Sequence, residues 1–97
     1  MHINDIFNVK LAKQAQKDLK KTPFHVAYKL QAWIESIEHS GLNKIRQIPG
    51  YHDEPLKGIR YGQRSIRLNK SYRAIYIIIN NSIIEFVEVQ EVNKHDY

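Results

Sequence analysis

The last third of the chain constrains the fold most. Arg64 to Leu68 alternates, with Ile66 and Leu68 on one face and Ser65 and Arg67 on the other. Ser71 to Ile79 is the most apolar segment, and Ile83 to Val92 is apolar on both faces near its start and charged towards its end. A period of two marks strands. The links around Asn69-Lys70 and at Asn80-Asn81-Ser82 are of hairpin length, which favours antiparallel pairing with the apolar segment in the centre. The first link also decides a register. A three-residue connection, Asn69-Lys70-Ser71, sets Arg67 opposite Arg73, Leu68 opposite Tyr72 and Ile66 opposite Ala74. A two-residue connection puts the two arginines on opposite faces. The three-residue register is preferred because it keeps both apolar pairs on the core face.

Upstream the period changes. Phe7, Val9 and Leu11 alternate with polar or small residues and predict a short strand. Ala12, Ala15 and Leu19 then fall on one stripe of a short, largely polar helix that Thr22-Pro23 stops. In a second helix Thr22 is the expected N-cap and Pro23 the first helical residue. Val26, Leu30, Trp33 and Ile37 repeat at helical spacing, Ala27 and Ile34 widen the stripe, and Gly41 ends it. Trp33 reads as a core anchor. Asn43 to Gly62 reads as mostly irregular, with turns at Pro49-Gly50 and Asp53-Glu54-Pro55 and adaptable backbone at Gly58 and Gly62. The expected fold is a single α+β domain over residues 1–97. Its N-terminal strand and helical hairpin pack on a small twisted, mainly antiparallel sheet. The neighbour and direction of the first strand stay open.

Charge singles out Leu56 to Tyr76. Lys57, Arg60, Arg64, Arg67, Lys70 and Arg73 supply six positive charges there and no negative one. Residues 44–73 carry a net charge of +6 against +5 for the whole chain, so this region sets the field. Such a patch speeds association with polyanions and supplies phosphate contacts, most simply to nucleic acid. There is no cysteine, and the N-terminal stretch lacks an apolar signal region. The longest apolar run, Ala74 to Ile79, is far too short for a bilayer. A cytoplasmic protein with no membrane association is expected.

The residue types fit metal-free phosphodiester chemistry. Five scattered histidines make no metal pattern, and no phosphate-binding glycine loop precedes Lys-Ser/Thr. Neither metal nor cofactor is expected. RNA brings its own nucleophile, the 2′-hydroxyl; cleavage needs in-line geometry, a proton acceptor, a proton donor and cations around the phosphate. Arg67 and Arg73 are the expected phosphate holders, Arg73 because it interrupts an otherwise apolar strand where a charge needs compensation. Lys57, Arg60 and Arg64 are candidates for substrate binding, and Lys70, at a turn tip, reads as solvated. His95 suits proton transfer near neutrality, Asp96 suits orienting a histidine or accepting a proton, and Tyr97 suits stacking on a base or touching phosphate. His52, in the irregular stretch, is an independent proton-transfer candidate.

Four stretches carry a family likeness: FNVKLAKQAQKDLKKTP, AYKLQAWIESI, PLKGIRYGQRSIRLNKSYRAIY and IIEFVEVQEVNKHDY. In this order the chain resembles the RelE/ParE superfamily of small bacterial toxins, especially the RelE- and HigB-like mRNA interferases. The resemblance implies the toxin of a type II toxin–antitoxin system, a ribosome-dependent endoribonuclease that cuts mRNA in the A site of the 70S ribosome. It implies a cognate antitoxin, and operator DNA reached through the antitoxin complex. By likeness Arg73 matches the arginine of the family's YR segment and Arg67 a basic hairpin position. His95, Asp96 and Tyr97 resemble the HigB-type terminal cluster, and His52 a loop histidine. Ser65 departs from the lysine of RelE-like enzymes, and no long helical tail follows the sheet, which favours a HigB-like arrangement. The rival readings are a ParE-like, noncatalytic inhibitor of DNA gyrase and a noncatalytic nucleic-acid-binding regulatory domain.

Overall fold

Val26, Leu30, Trp33, Ile34 and Ile37 line one side of the helix Phe24–Ser40 (α2), and all five are buried. The computed structural model describes residues 5–81 and 84–94. Trp33 is the largest fully enclosed side chain, and its ring lies 5.2 Å from that of Tyr76, tilted by 50°. Burying each large side chain of this stripe contributes about 1.5–3 kcal/mol, and tilted ring packing adds to it. The stripe therefore fastens the helical layer to the sheet.

The preceding helix, Lys13–Lys21 (α1), corrects one expectation. The Thr22 hydroxyl donates to the Asp18 carbonyl at 2.7 Å and closes α1, so it does not cap α2. Pro23 takes the N-cap position, and its carbonyl accepts from the Val26 and Ala27 N–H groups. Gly41 ends α2 as expected, with φ of 90° and its N–H on the Ile37 carbonyl. A Cβ at this glycine would meet the Asp5 carboxylate, which accepts the N–H groups of Ile6 and Asn43.

Among the described residues the sheet has five strands: Val9–Leu11 (β1), Glu54–Pro55 (β2), Arg64–Arg67 (β3), Tyr72–Asn80 (β4) and Glu85–Lys94 (β5), in the order β1-β5-β4-β3-β2. The apolar strand is central, as the pattern predicts. The three-residue register also holds: Ile66 pairs with Ala74 and Arg67 with Arg73, while the Leu68 N–H reaches the Tyr72 carbonyl. The open question of the first strand is answered by β1 lying parallel to β5, Val9 beside Val87. All other pairs are antiparallel.

Three further differences have local causes. Phe7 is exposed and Ile6 is buried in its place, so the first strand begins only at Val9. Residues 42–62 are more ordered than their composition suggests: they hold a short helix Leu42–Ile45 (α3), single 3-10 turns at Pro49–Tyr51 and Gly58–Arg60, and β2. Asp53-Glu54-Pro55 is thus no turn but the lead into an edge strand, too short for alternation to reveal. Finally, β5 extends to Lys94, and Ile83 lies outside the described residues. A bulge pairs Tyr76 with Val89 but Ile75 with Glu91, leaving Gln90 as an extra residue. The bulge explains why Val87, Val89 and Val92 are all buried although their spacing changes from two to three. Among the described residues, no helix is long and apolar enough to cross a membrane.

Candidate functional site

The site is built outward from one enclosed carboxylate. The Asp53 side chain is 0% exposed and accepts two hydrogen bonds, from Arg64 Nε at 2.7 Å and from the Tyr76 hydroxyl at 2.6 Å. Burial first, then this bond to Asp53, pushes the Tyr76 phenol well above its ordinary pKa. Partial burial alone would lower the Arg64 pKa, but the hydrogen bond and charge of Asp53 outweigh it and leave it raised. The buried charge is therefore paired and hydrogen-bonded, the condition under which burial is tolerated. Tyr76 belongs to the central strand and Arg64 to β3. The network consequently fixes the 52–54 segment to the sheet.

With Asp53 turned inward, the side chains on either side are left at the surface. His52 is 60% exposed and Glu54 44%. His52 has φ 48° and ψ 50°, and it is the one non-glycine residue with positive φ among those described. This left-handed backbone is uncommon away from glycine, and at a site it stores local strain. Glu54 is placed between two groups: Oε2 lies 3.4 Å from His52 Nε2, and Oε1 lies 3.5 Å from an Arg73 Nη. The same Arg73 nitrogen donates to Ser65 Oγ at 3.1 Å. Arg73 is only 16% exposed, so the charge that interrupts the apolar strand does have the compensation that its position demands.

Glu54, Arg60, Ser65, Arg73 and Asn93 face a common open cavity of about 420 Å³. The bulge in β5 contributes here. It sets Asn93 opposite Arg73 and leaves Glu91 to bind Arg60, Nη2 to Oε2, at 2.7 Å. Arg60 Nε also donates to Gln63 Oε1 at 2.8 Å.

The residues expected from sequence divide into groups. Arg73 and His52 meet through Glu54. Arg67 stands beside Arg73 in cross-strand register, is exposed, and has no ion pair among the described residues. Arg64 lies inside the Asp53 network, and Arg60 is paired with Glu91 on the cavity wall. Lys57 is exposed and without an ion pair among the described residues. His95, Asp96 and Tyr97 lie outside the described residues. Glu54 and Asp53 escaped the sequence reading because they looked like turn residues. One signal was present: they are the sole negative charges in a segment, 44–73, of net charge +6. Chemically, the arrangement offers an exposed carboxylate able to take a proton, an imidazole beside it, and guanidinium groups able to hold an anion.

No protein-family model matches the chain, and no curated protein gives a significant sequence match. Solved structures do match. The YoeB/ParE toxin from Agrobacterium tumefaciens superposes with a TM-score of 0.67 at 19% identity, covering 92% of this chain and 99% of that one. YafQ from E. coli strain BL21(DE3) gives 0.70 at 17% identity, covering 91% and 92%. The toxin–antitoxin complex RelBE2 from Mycobacterium tuberculosis gives 0.57 at 21% identity, covering 93% and 99%. The fold is that of the RelE/ParE-superfamily toxins.

Proposed function

We propose that this protein is the toxin of a type II toxin–antitoxin pair and that it cleaves mRNA on the ribosome without a metal ion. The observation that carries the reading is the placement of Glu54 between His52 and Arg73 on the wall of an open cavity, alongside Arg67, which has no ion pair among the described residues. A carboxylate in the middle of a basic surface weakens its attraction to a polyanion. Beyond compensating Arg73, Glu54 keeps an oxygen beside His52 at the surface, where it is placed to act as a general base.

In this mechanism the 2′-oxygen attacks the adjacent phosphorus and Glu54 takes the hydroxyl proton. The new 2′-O–P bond forms as the P–O5′ bond breaks. A histidine returns a proton to the departing 5′-oxygen; His95 is assigned this step, with Asp96 orienting it and Tyr97 against the base. His52 orients Glu54 and is the second candidate donor. Arg73 and Arg67 flank the phosphate and stabilise the charge that develops on it. The products are a 2′,3′-cyclic phosphate and a free 5′-hydroxyl. Lys57 and Arg60 draw in the RNA backbone, and Arg64 serves through Asp53. A cognate antitoxin that covers the basic surface is the natural partner, and operator DNA is reached through that complex. The fold shared with a toxin solved in a toxin–antitoxin complex supports this partner.

The test is cleavage of mRNA on programmed 70S ribosomes by the protein freed of any partner, in the presence of chelator. Cuts within the A-site codon support the reading. Intact mRNA with undisturbed translation overturns it, and DNA damage with intact mRNA in expressing cells points to gyrase inhibition instead.

A further inference from the structure

Three of the six cations between Leu56 and Tyr76 have carboxylate partners: Arg60 with Glu91, Arg64 with Asp53 and Arg73 with Glu54. Lys57, Arg67 and Lys70 have no ion pair among the described residues. Two of these three, Arg67 and Lys70, converge with Lys29 of α2 on a second cavity of about 410 Å³, completed by Gly50, Leu68 and Asn69. It shares no lining residue with the cavity of Glu54 and Arg73.

The lining is one-sided in its chemistry. Among the described residues, no carboxylate contributes to it. Asn69 Oδ1 already accepts the N–H groups of Ser71 and Tyr72, at 2.7 and 2.8 Å. That leaves Nδ2, a donor, as the outer end of this side chain, 3.5 Å from His25 Nε2. Lys29 Nζ sits 5.1 Å from the centre of the Tyr51 ring, a cation–π contact that steadies it. The polar side chains around this cavity therefore present only donors, with three positive charges among them. Such a lining fits an anion and repels a cation.

We propose that this cavity is a subsite for a second, uncleaved phosphate of the bound RNA strand, a claim that rests on the RNA reading of the neighbouring site. Arg67 links the two cavities. It stands opposite Arg73 in the hairpin, and side chains so placed have Cβ atoms about 5 Å apart. A strand with one linkage at Arg73 thus passes Arg67 and brings a neighbouring linkage over Lys29, Asn69 and Lys70. That continuity favours a regularly charged backbone over an isolated carboxylate from a protein. Lys70, a turn-tip residue by sequence, acquires a role, and Lys29, which sequence did not select, acquires one from the packing of α2.

The test uses two probes on the full chain: inorganic phosphate, and a short RNA made uncleavable by 2′-O-methylation. Phosphate should shift the amide resonances of Gly50, Asn69 and Lys70 in a saturable manner. Lys29→Ala and Lys70→Ala should each weaken RNA binding about threefold and flatten its salt dependence by about one phosphate contact. Lys29→Arg should restore both. Absence of saturable phosphate shifts, or unchanged RNA affinity and salt slope in both alanine variants, overturns the proposal. So does an acidic peptide that binds here while RNA does not. If the RNA results hold but ribosome-bound mRNA stays intact, the cleavage reading fails and the subsite stands. If cleavage proceeds and both variants bind RNA normally, only the subsite fails.

Discussion

Tyr76 donates a 2.6 Å hydrogen bond to Asp53, across 23 residues of sequence, and so ties the middle strand of the sheet to the segment that carries the reactive candidates. The phenol is enclosed beneath Trp33 and the carboxylate is wholly shielded. Tyr76→Phe leaves Asp53 with Arg64 alone and should cost about 1–2 kcal/mol. Asp53→Ala also leaves the partly buried Arg64 guanidinium without its carboxylate and should cost more, about 3 kcal/mol.

The same bond gives a pH signature. Burial and the bond to Asp53 raise the folded-state pKa of Tyr76 above its unfolded value of about 10. Its stabilisation is complete below pH 10 and is lost as pH rises beyond it, because the unfolded tyrosine ionises while the folded one keeps its proton. The gap in urea midpoint between wild type and Tyr76→Phe should be constant from pH 7 to 9 and narrow above pH 10. A gap that widens with alkali would contradict the assignment.

His52 sits in left-handed backbone at the edge of the site. Glycine adopts that conformation without steric penalty. His52→Gly should therefore match or exceed the wild-type melting temperature while cleavage falls, and His52→Ala should lose cleavage with no gain in stability. Equal melting temperatures for the two variants would argue against strain.

Gly41 combines φ of 90° with an Asp5 carboxylate in the place of a Cβ. Gly41→Ala should destabilise by about 1–3 kcal/mol, with the loss appearing first in hydrogen exchange of Ile6 and Asn43, whose N–H groups Asp5 accepts. Cleavage per folded molecule should be unchanged.

These outcomes also mark where sequence was informative. Alternation and link length placed the hairpin, its register and the Arg67–Arg73 pair, because a buried face tolerates only one register. The Trp33 stripe was equally plain, since five apolar residues, Val26 to Ile37, recur over about three turns of one helix. Thr22 misled because capping rules describe a side chain's preference and not the competing acceptor, here the Asp18 carbonyl. Glu54 stayed hidden because a strand of two residues has no period. Its partners come from β4 and from a left-handed residue whose conformation no local pattern announces. The bulge at Gln90, which delivers Glu91 and Asn93 to the site face, breaks the very alternation by which a strand is recognised.

Substitution of Glu54 tests the central claim most directly. Glu54→Gln keeps the size of the side chain and an amide oxygen that can still accept from Arg73 but removes the proton acceptor, so the variant should lose no more than about 1–2 kcal/mol of stability. On programmed ribosomes in chelator, wild type should leave mRNA ends carrying 2′,3′-cyclic phosphate, and the variant should cut about 100-fold or more slowly. Cleavage by Glu54→Gln at the wild-type rate, or no cleavage by wild type, would contradict a general-base role for Glu54 between His52 and Arg73.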